Sequence, residues 1–262
     1  MKVRMGSQTL AASVAVSLAL ALGCAGRKPE EDPELRVKKA RSHFDMAVDH
    51  QDHGRVELAL RELIMAERID PTSPLIQHAL GMTYLQKGRF EEAERHLLLA
   101  IEVRPDYQDA RMNLSTLYLT LGRYEECVEQ SEALYDDPTF TSPWRALTNW
   151  GWAAYRLGRP QEGRRHLEAS LDLNTRYWPT LLNLGILEAE EGHKIDGIRY
   201  FSEVLALDPG ASATAETSYR LAEIYVSLGK RDEAMGHLRS ALVKAPSDPW
   251  GKKSEEYLKL LR

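Results

Sequence analysis

The side chains best suited to nucleophilic or metal chemistry in this sequence are two cysteines and eight histidines, and their spacing speaks against both uses. Cys24 and Cys127 allow at most one disulfide, so a disulfide framework is excluded. The histidines are scattered. Only the stretch Asp49-His50-Gln51-Asp52-His53 sets two of them three apart on one helix, with acids beside them, as a metal pair would need. No third ligand accompanies them, so a solvated helix end is the expected role. There is no glycine-rich phosphate loop, no nucleophile elbow and no Cys–His pattern. The sequence therefore predicts no catalytic site, no metal and no cofactor. Cys127 stands where two helices would need a small residue, and is expected to be a buried small hydrophobe. What remains is the chemistry of contact: a thiol at Cys24 where an apolar run stops, amides at Asn113, Asn149 and Asn183, and a series of apolar and aromatic side chains.

Cys24 closes an uncharged run. After the basic start of Lys2 and Arg4 comes Leu10 to Leu22, LAASVAVSLALAL, and then Gly23-Cys24. Thirteen apolar residues are too few to cross a hydrocarbon core that requires a helix of about 20. Basic start, short apolar run and small residue before the cut fit a secretory signal over residues 1–23. The ending Ala21-Leu22-Gly23-Cys24 resembles the bacterial lipobox, with Gly23 and Cys24 matching and Ala21 standing where leucine is commonest. That resemblance implies that Cys24 is the lipid attachment site, bearing several acyl chains, enough for stable anchoring. Ala25 in place of aspartate implies the outer membrane, on its periplasmic face. The alternative is an ordinary cleaved signal with an incidental cysteine. Residues 24–34 then read as a polar flexible tether.

The elements that must position the remaining candidates repeat. Gly54, Gly88, Gly122, Gly158, Gly192 and Gly229 recur at steps of 34 to 37 residues, each between two helix-like stretches such as YLQKGRFEEAERHLLLAIEVRP. Within the second copy, Leu80-Gly81, Tyr84, Gly88, Ala93, Ala100 and Pro105 resemble the tetratricopeptide repeat, a 34-residue helix–turn–helix. The resemblance implies an all-α, right-handed solenoid over residues 35–262, with repeats at 40–73, 74–107, 108–141, 144–177, 178–211 and 215–248 and a capping helix at 249–262. The reasons are packing reasons. Gly81, Ala93, Gly151, Gly185 and Ala234 let paired helices approach, the mid-repeat glycines permit a positive φ, and a terminal proline ends each second helix. One repeat cannot bury its own apolar face, so the copies must stack. The net charge of −5 is not accompanied by a basic block, which excludes nucleic acid and disfavours an anionic membrane surface as partner.

In tetratricopeptide arrays the first helix of each repeat lines the inner curve. At its inward positions this sequence places Phe44, then Leu75, Met82 and Leu85, then Met112 and Leu119, then Trp152 and Tyr155, then Leu182 and Ile186. The expectation is an apolar groove for a protein partner, with Trp152 and Tyr155 as anchors. The alternative is that some of these side chains pack on the neighbouring repeat. Asn113, Asn149 and Asn183 share one repeat position and resemble an asparagine ladder that bonds the backbone of an extended peptide. They could equally bond within their own repeats. The basic clamp that reads acidic C-termini is missing. No small-molecule substrate is expected.

A lipobox followed by six tetratricopeptide repeats resembles the type IV pilus biogenesis lipoproteins of the PilF/PilW family. The fourth repeat and its preceding insertion, DPTFTSPWRALTNWGWAAYRLGRPQEGRRHLEASLDLN, carry the most distinctive part of that resemblance. It implies a pilotin, which binds the pilus secretin subunit, helps it to reach the outer membrane and promotes its multimer assembly. The rival expectation is a general periplasmic scaffold of another envelope machine.

Overall fold

The computed structural model describes residues 32–261. The signal segment, Cys24 and the tether as far as residue 31 lie outside the described residues. Residues 32–261 form thirteen α-helices in consecutive antiparallel pairs closed by a last single helix, and none of these helices is long and apolar enough to cross a membrane. They divide into two units, one ending at Pro71 and the next starting at Thr72.

Unit 1 is the hairpin of α1 (Pro33–Asp52) and α2 (Val56–Ile69). Helix α1 takes in the last two residues of the expected tether. The Asp32 carboxylate accepts the Glu34 N–H at 3.0 Å, and Pro33 fills a first-turn position where no N–H is needed. Ala40, Ala47, Ala59, Leu63 and Ala66 make its dry seam, small enough for the two helices to lie close.

Unit 2 continues with α3 (Pro74–Gln86) and α4 (Phe90–Val103), α5 (Gln108–Leu121) and α6 (Tyr124–Tyr135), and α7 (Pro143–Arg156) and α8 (Pro160–Leu173). Then come α9 (Trp178–Glu190) and α10 (Lys194–Ala206), α11 (Ala211–Ser227) and α12 (Arg231–Lys244), and the last helix α13 (Pro249–Leu260). The sixth repeat opens at Ala211, four residues ahead of the expected 215. Asp208 (φ 48°), Pro209 and Gly210 (φ 95°) complete the chain reversal early and release α11 to start.

Each hairpin turns in the same way. At Gly122 φ is 71°, the left-handed conformation that only glycine enters freely, and the Arg123 N–H then reaches back to the Tyr118 carbonyl at 2.9 Å. The same backward bond joins Arg89 to Tyr84 and Lys230 to Tyr225, so a single glycine ends one helix and aims the next. The second helices lack side-chain caps, yet acids such as Glu91, Glu92, Glu125 and Glu126 occupy their first turns, where the helix dipole favours negative charge.

Between paired helices the spacing depends on residues without side chains. A Cβ at Gly163 would lie 2.7 Å from the Gly151 carbonyl oxygen, and one at Gly185 would lie 2.5 Å from the Phe201 ring. Polar pairs fix the register as well. His43 with Glu62, Gln77 with His96, and Arg111 with Gln130 bond at 2.6–2.9 Å, each pair 19 residues apart in sequence. The constant offset is the repeat register expressed as a hydrogen bond. From the fourth repeat on, Leu147, Leu181 and Ser218 replace the first partner. Between repeats, a buried hydroxyl triangle of Thr148, Ser170 and Thr180 at 2.6–3.0 Å ties α7, α8 and α9 together. The last helix covers the array: Leu258 packs on Ala222, Ala234 and Leu238, with Tyr257 and Leu261 beside it.

Candidate functional site

Within unit 2 the first helices of successive repeats touch one another, α3 with α5, α5 with α7, α7 with α9 and α9 with α11. The second helices of successive repeats make no comparable contact among the described residues. The first helices thus form the more closely packed side, and the expected inward positions can be placed on it.

They do not all face outward from it. Leu75 and Met82 are exposed, at 42% and 37%, and Leu85 and Leu119 are half-buried. Met112, Leu182 and Ile186 are corrections to the expected groove. Each is buried, with exposures of 3%, 8% and 4%. Met112 packs with Leu134, Ala146 and Phe140, while Leu182 and Ile186 join Leu181, Phe201, Val204, Leu221 and Ile224. The cause is the close approach of neighbouring first helices, which turns an inward position into a joint between repeats. Phe44 is half-buried in unit 1, with the Arg41 guanidinium over its ring at 5.3 Å.

Trp152 and Tyr155 come together, their ring centroids 5.5 Å apart, with the Arg156 guanidinium 5.7 Å from the Trp152 ring. Both are half-buried, and both also hold the fifth repeat. Trp152 lies against the Leu182–Ile186 cluster, and Tyr155 donates its hydroxyl to Glu190 at 2.5 Å. Burial, followed by that carboxylate, raises the Tyr155 pKa.

The asparagines do something the sequence alone did not suggest. The Asn113 amide donates to His78 Nε2 at 2.8 Å, and the Asn149 amide donates to Ser115 and Thr116 at 3.1 and 3.3 Å. Both reach into the preceding repeat, neither to their own repeat nor to open space. Asn183, half-buried, makes no such bond among the described residues. His78 also meets the Tyr107 hydroxyl through Nδ1 at 3.1 Å, so its neutral form is held from both sides, and burial lowers its pKa.

Cys127 is fully buried between α5 and α6, beside the Ser115 and Ser131 hydroxyls, and burial pushes its thiol up to about 11. At the DHQDH stretch, Asp49 pairs with Arg55 at 2.9 Å and the His53 ring meets the Asp49 carbonyl at 2.7 Å. Among the described residues no group of three or more metal-binding side chains converges.

Sequence reasoning missed Glu188. This carboxylate is 3% exposed, is paired with the Arg164 guanidinium and meets His193 Nδ1 at 2.8 Å. It bridges α8, α9 and the turn into α10. A glutamate directly after the apolar stretch Leu184 to Leu187 and before Ala189 is the available signal.

Family models of the tetratricopeptide repeat match residues 78–135, 148–212 and 217–249, together more than half of the chain. No curated protein matches. Among solved structures, PilW, described as a widely conserved type IV pilus biogenesis factor, aligns with a TM-score of 0.71 at 18% identity, covering 82% of this chain and 97% of its own. PilF of Pseudomonas aeruginosa aligns with a TM-score of 0.66 at 17% identity, covering 85% and 99%. The Cut9 and Hcn1 hetero-tetramer of the APC/C gives a TM-score of 0.70 at 17% identity, covering 85% of this chain but 43% of that one. At these identities the likeness is one of fold.

Proposed function

The chain belongs to the tetratricopeptide-repeat family, whose arrays are scaffolds for protein–protein interaction, and from that premise we propose that it is a pilotin lipoprotein of the outer membrane. In this reading Cys24 carries the acyl anchor on the periplasmic face. The repeats bind a type IV pilus secretin subunit, assist its localisation and promote its multimer assembly. The role is one of binding, not turnover.

The observation that carries the reading is the match to PilF and PilW along nearly their whole length, together with the lipobox-like Gly23-Cys24 ahead of the repeats. The partner would meet the side of unit 2 made by the first helices, where Leu75, Met82, Leu85, Leu119, Trp152 and Tyr155 keep surface after packing. Met112, Leu182 and Ile186 act there as supports.

The test is deletion of the gene, followed by assay of heat-stable secretin multimers and pilus-driven motility. Loss of both, restored by the wild-type chain but not by Cys24→Ala, is expected. Unchanged multimers with an altered envelope would transfer the protein to another assembly machine.

A further inference from the structure

Between α9 and α11, and backed by α10, lies an open cavity of about 460 Å³. Its apolar wall includes Ile186, Phe201 and Ile224, and its charged lining is Glu190, Glu223, Lys194 and Arg220. The wall belongs to the cluster against which Trp152 packs.

The four charges form no ion pair with one another. Arg220 is committed to Glu216, with Nε and a terminal nitrogen at 2.9 and 2.8 Å from one carboxylate oxygen. Glu190 receives a neutral donor, the Tyr155 hydroxyl. Glu223 has the Tyr219 hydroxyl, another neutral group, as a neighbour that favours its charged form. Neither carboxylate forms an ion pair among the described residues, and neither does Lys194. Neither carboxylate therefore has a directly paired cation, although Arg220 and Lys253 act on Glu223 from a distance, and one ammonium, Lys194, stands beside them.

We propose that this cavity receives a lysine or arginine side chain of the protein partner, with its methylenes against Ile186, Phe201 and Ile224 and its cationic head on Glu190 and Glu223. Long basic side chains have this divided character, an apolar stem and a charged tip. A carboxylate pair gives charge-assisted bonds that a neutral side chain cannot replace. The protonation balance of Glu223 agrees. Desolvation raises its pKa, Arg220, Lys253 and the Tyr219 hydroxyl work against that, Glu190 adds to it, and the net direction is upward. Its charge is thus under-stabilised until a cation arrives. The inference rests on the first-helix side of unit 2 being the partner face, and it gives that face a chemical preference.

The test uses the full-length chain in detergent and a fluorescein-labelled peptide, Ile-Lys-Val-Lys-Ile-Lys-Val, against a counterpart with glutamine at each lysine. Fluorescence anisotropy should show the lysine peptide binding at least about ten-fold tighter, the scale of a hydrogen bond to a charged group. Glu223→Gln should remove about ten-fold of that affinity. Lys194→Gln should leave it unchanged or strengthen it. Equal binding of the two peptides, no binding of the lysine peptide, or full affinity in a folded Glu223→Gln variant would overturn the proposal. Glu190→Gln serves as the second variant if Glu223→Gln lowers the melting temperature. Failure of the pilotin reading is distinguishable: secretin multimers would survive deletion of the gene while the lysine preference stayed. Failure of this proposal alone would leave multimers dependent on the chain but unaffected by the Glu190→Gln/Glu223→Gln double variant.

Discussion

Two glycines show how much one missing side chain carries here. Gly163 lies in the interior of α8, facing the Gly151 carbonyl of α7, and what a methyl group would strike is backbone, which cannot rotate away. Gly163→Ala should therefore cost about 1–3 kcal/mol, the range of overpacking. Gly236, in the interior of α12, has open space where a methyl group would stand, with nothing within 4 Å of it. Gly236→Ala should stabilise by about 0.4–1 kcal/mol, because the unfolded chain loses freedom while the helix gains propensity. Urea melts of the two variants check the contrast, and equal effects would contradict it. Cys127 gives a second residue-scale expectation. With its thiol buried and pushed up to about 11, it should resist a thiol reagent at pH 8 in the folded chain and react once urea unfolds it. Rapid labelling without denaturant would place Cys127 outside the core. The sequence pointed to Gly151, Gly185 and Cys127 because they sit at the repeat's small-residue positions. Gly163 shares its repeat position with Ala93, Cys127 and Ala234, five residues past the turn glycine, so the register marks it as small, but not that the atoms facing it are backbone.

For single helices, the repeat period was legible because it is a pattern of types: glycine at the turn, small residues at the crossing, proline past the end. The paired helices and their turns follow from it. The occupants of the inner face were less legible. Periodicity states which side of a helix a residue is on, but not how near the next helix lies. Met82 and Met112 look alike in sequence, both on the expected inward side of a first helix, yet one is 37% and the other 3% exposed. Met112→Ala should cost about 2–5 kcal/mol, while Met82→Ala should cost much less. Similar losses in the two would mean that the first helices stand too far apart to bury Met112. Trp152 lies between these cases. Trp152→Ala should lower the melting temperature by exposing the Leu182–Ile186 cluster, and should also weaken partner binding. A variant that binds normally despite a lowered melting temperature would make Trp152 a joint between repeats and no anchor. The asparagines repeat the lesson. Their shared position was visible, but their partners were not, because Asn113 and Asn149 bond 33 to 35 residues back along the chain.

Across the whole molecule, histidines that look scattered in sequence recur in space. His96, His166 and His237 occupy equivalent places on second helices, and each stacks on an aromatic ring of its partner helix: Tyr84 at 5.3 Å, Trp150 at 4.1 Å and Tyr225 at 5.3 Å. His78 joins two repeats through Tyr107 and Asn113. For His78, His166 and His237 the folded chain lowers the pKa, with burial as the leading cause in each. The unfolded chain therefore binds more protons in the window just below the ordinary histidine value. Their contribution to stability is complete above a pH of about 6.5 and is lost as pH falls through the folded-state values. Carboxylates held low, such as Glu62 beside His43 and Glu126 beside Arg123, act in the same sense but below the ordinary carboxylate range. Glu223, held high, acts in the opposite sense and somewhat above it. Between pH 7.5 and 5.5 the histidines should dominate, and the melting temperature should fall on acidification at constant ionic strength. His166→Leu removes one of the three at a site whose Nε2 has no hydrogen-bond partner, so the variant should show a shallower decline. A melting temperature that stays level or rises from pH 7.5 to 5.5, or a His166→Leu slope equal to that of the wild type, would show that these rings are hydrated in the folded chain and that the stacked positions do not couple stability to protonation.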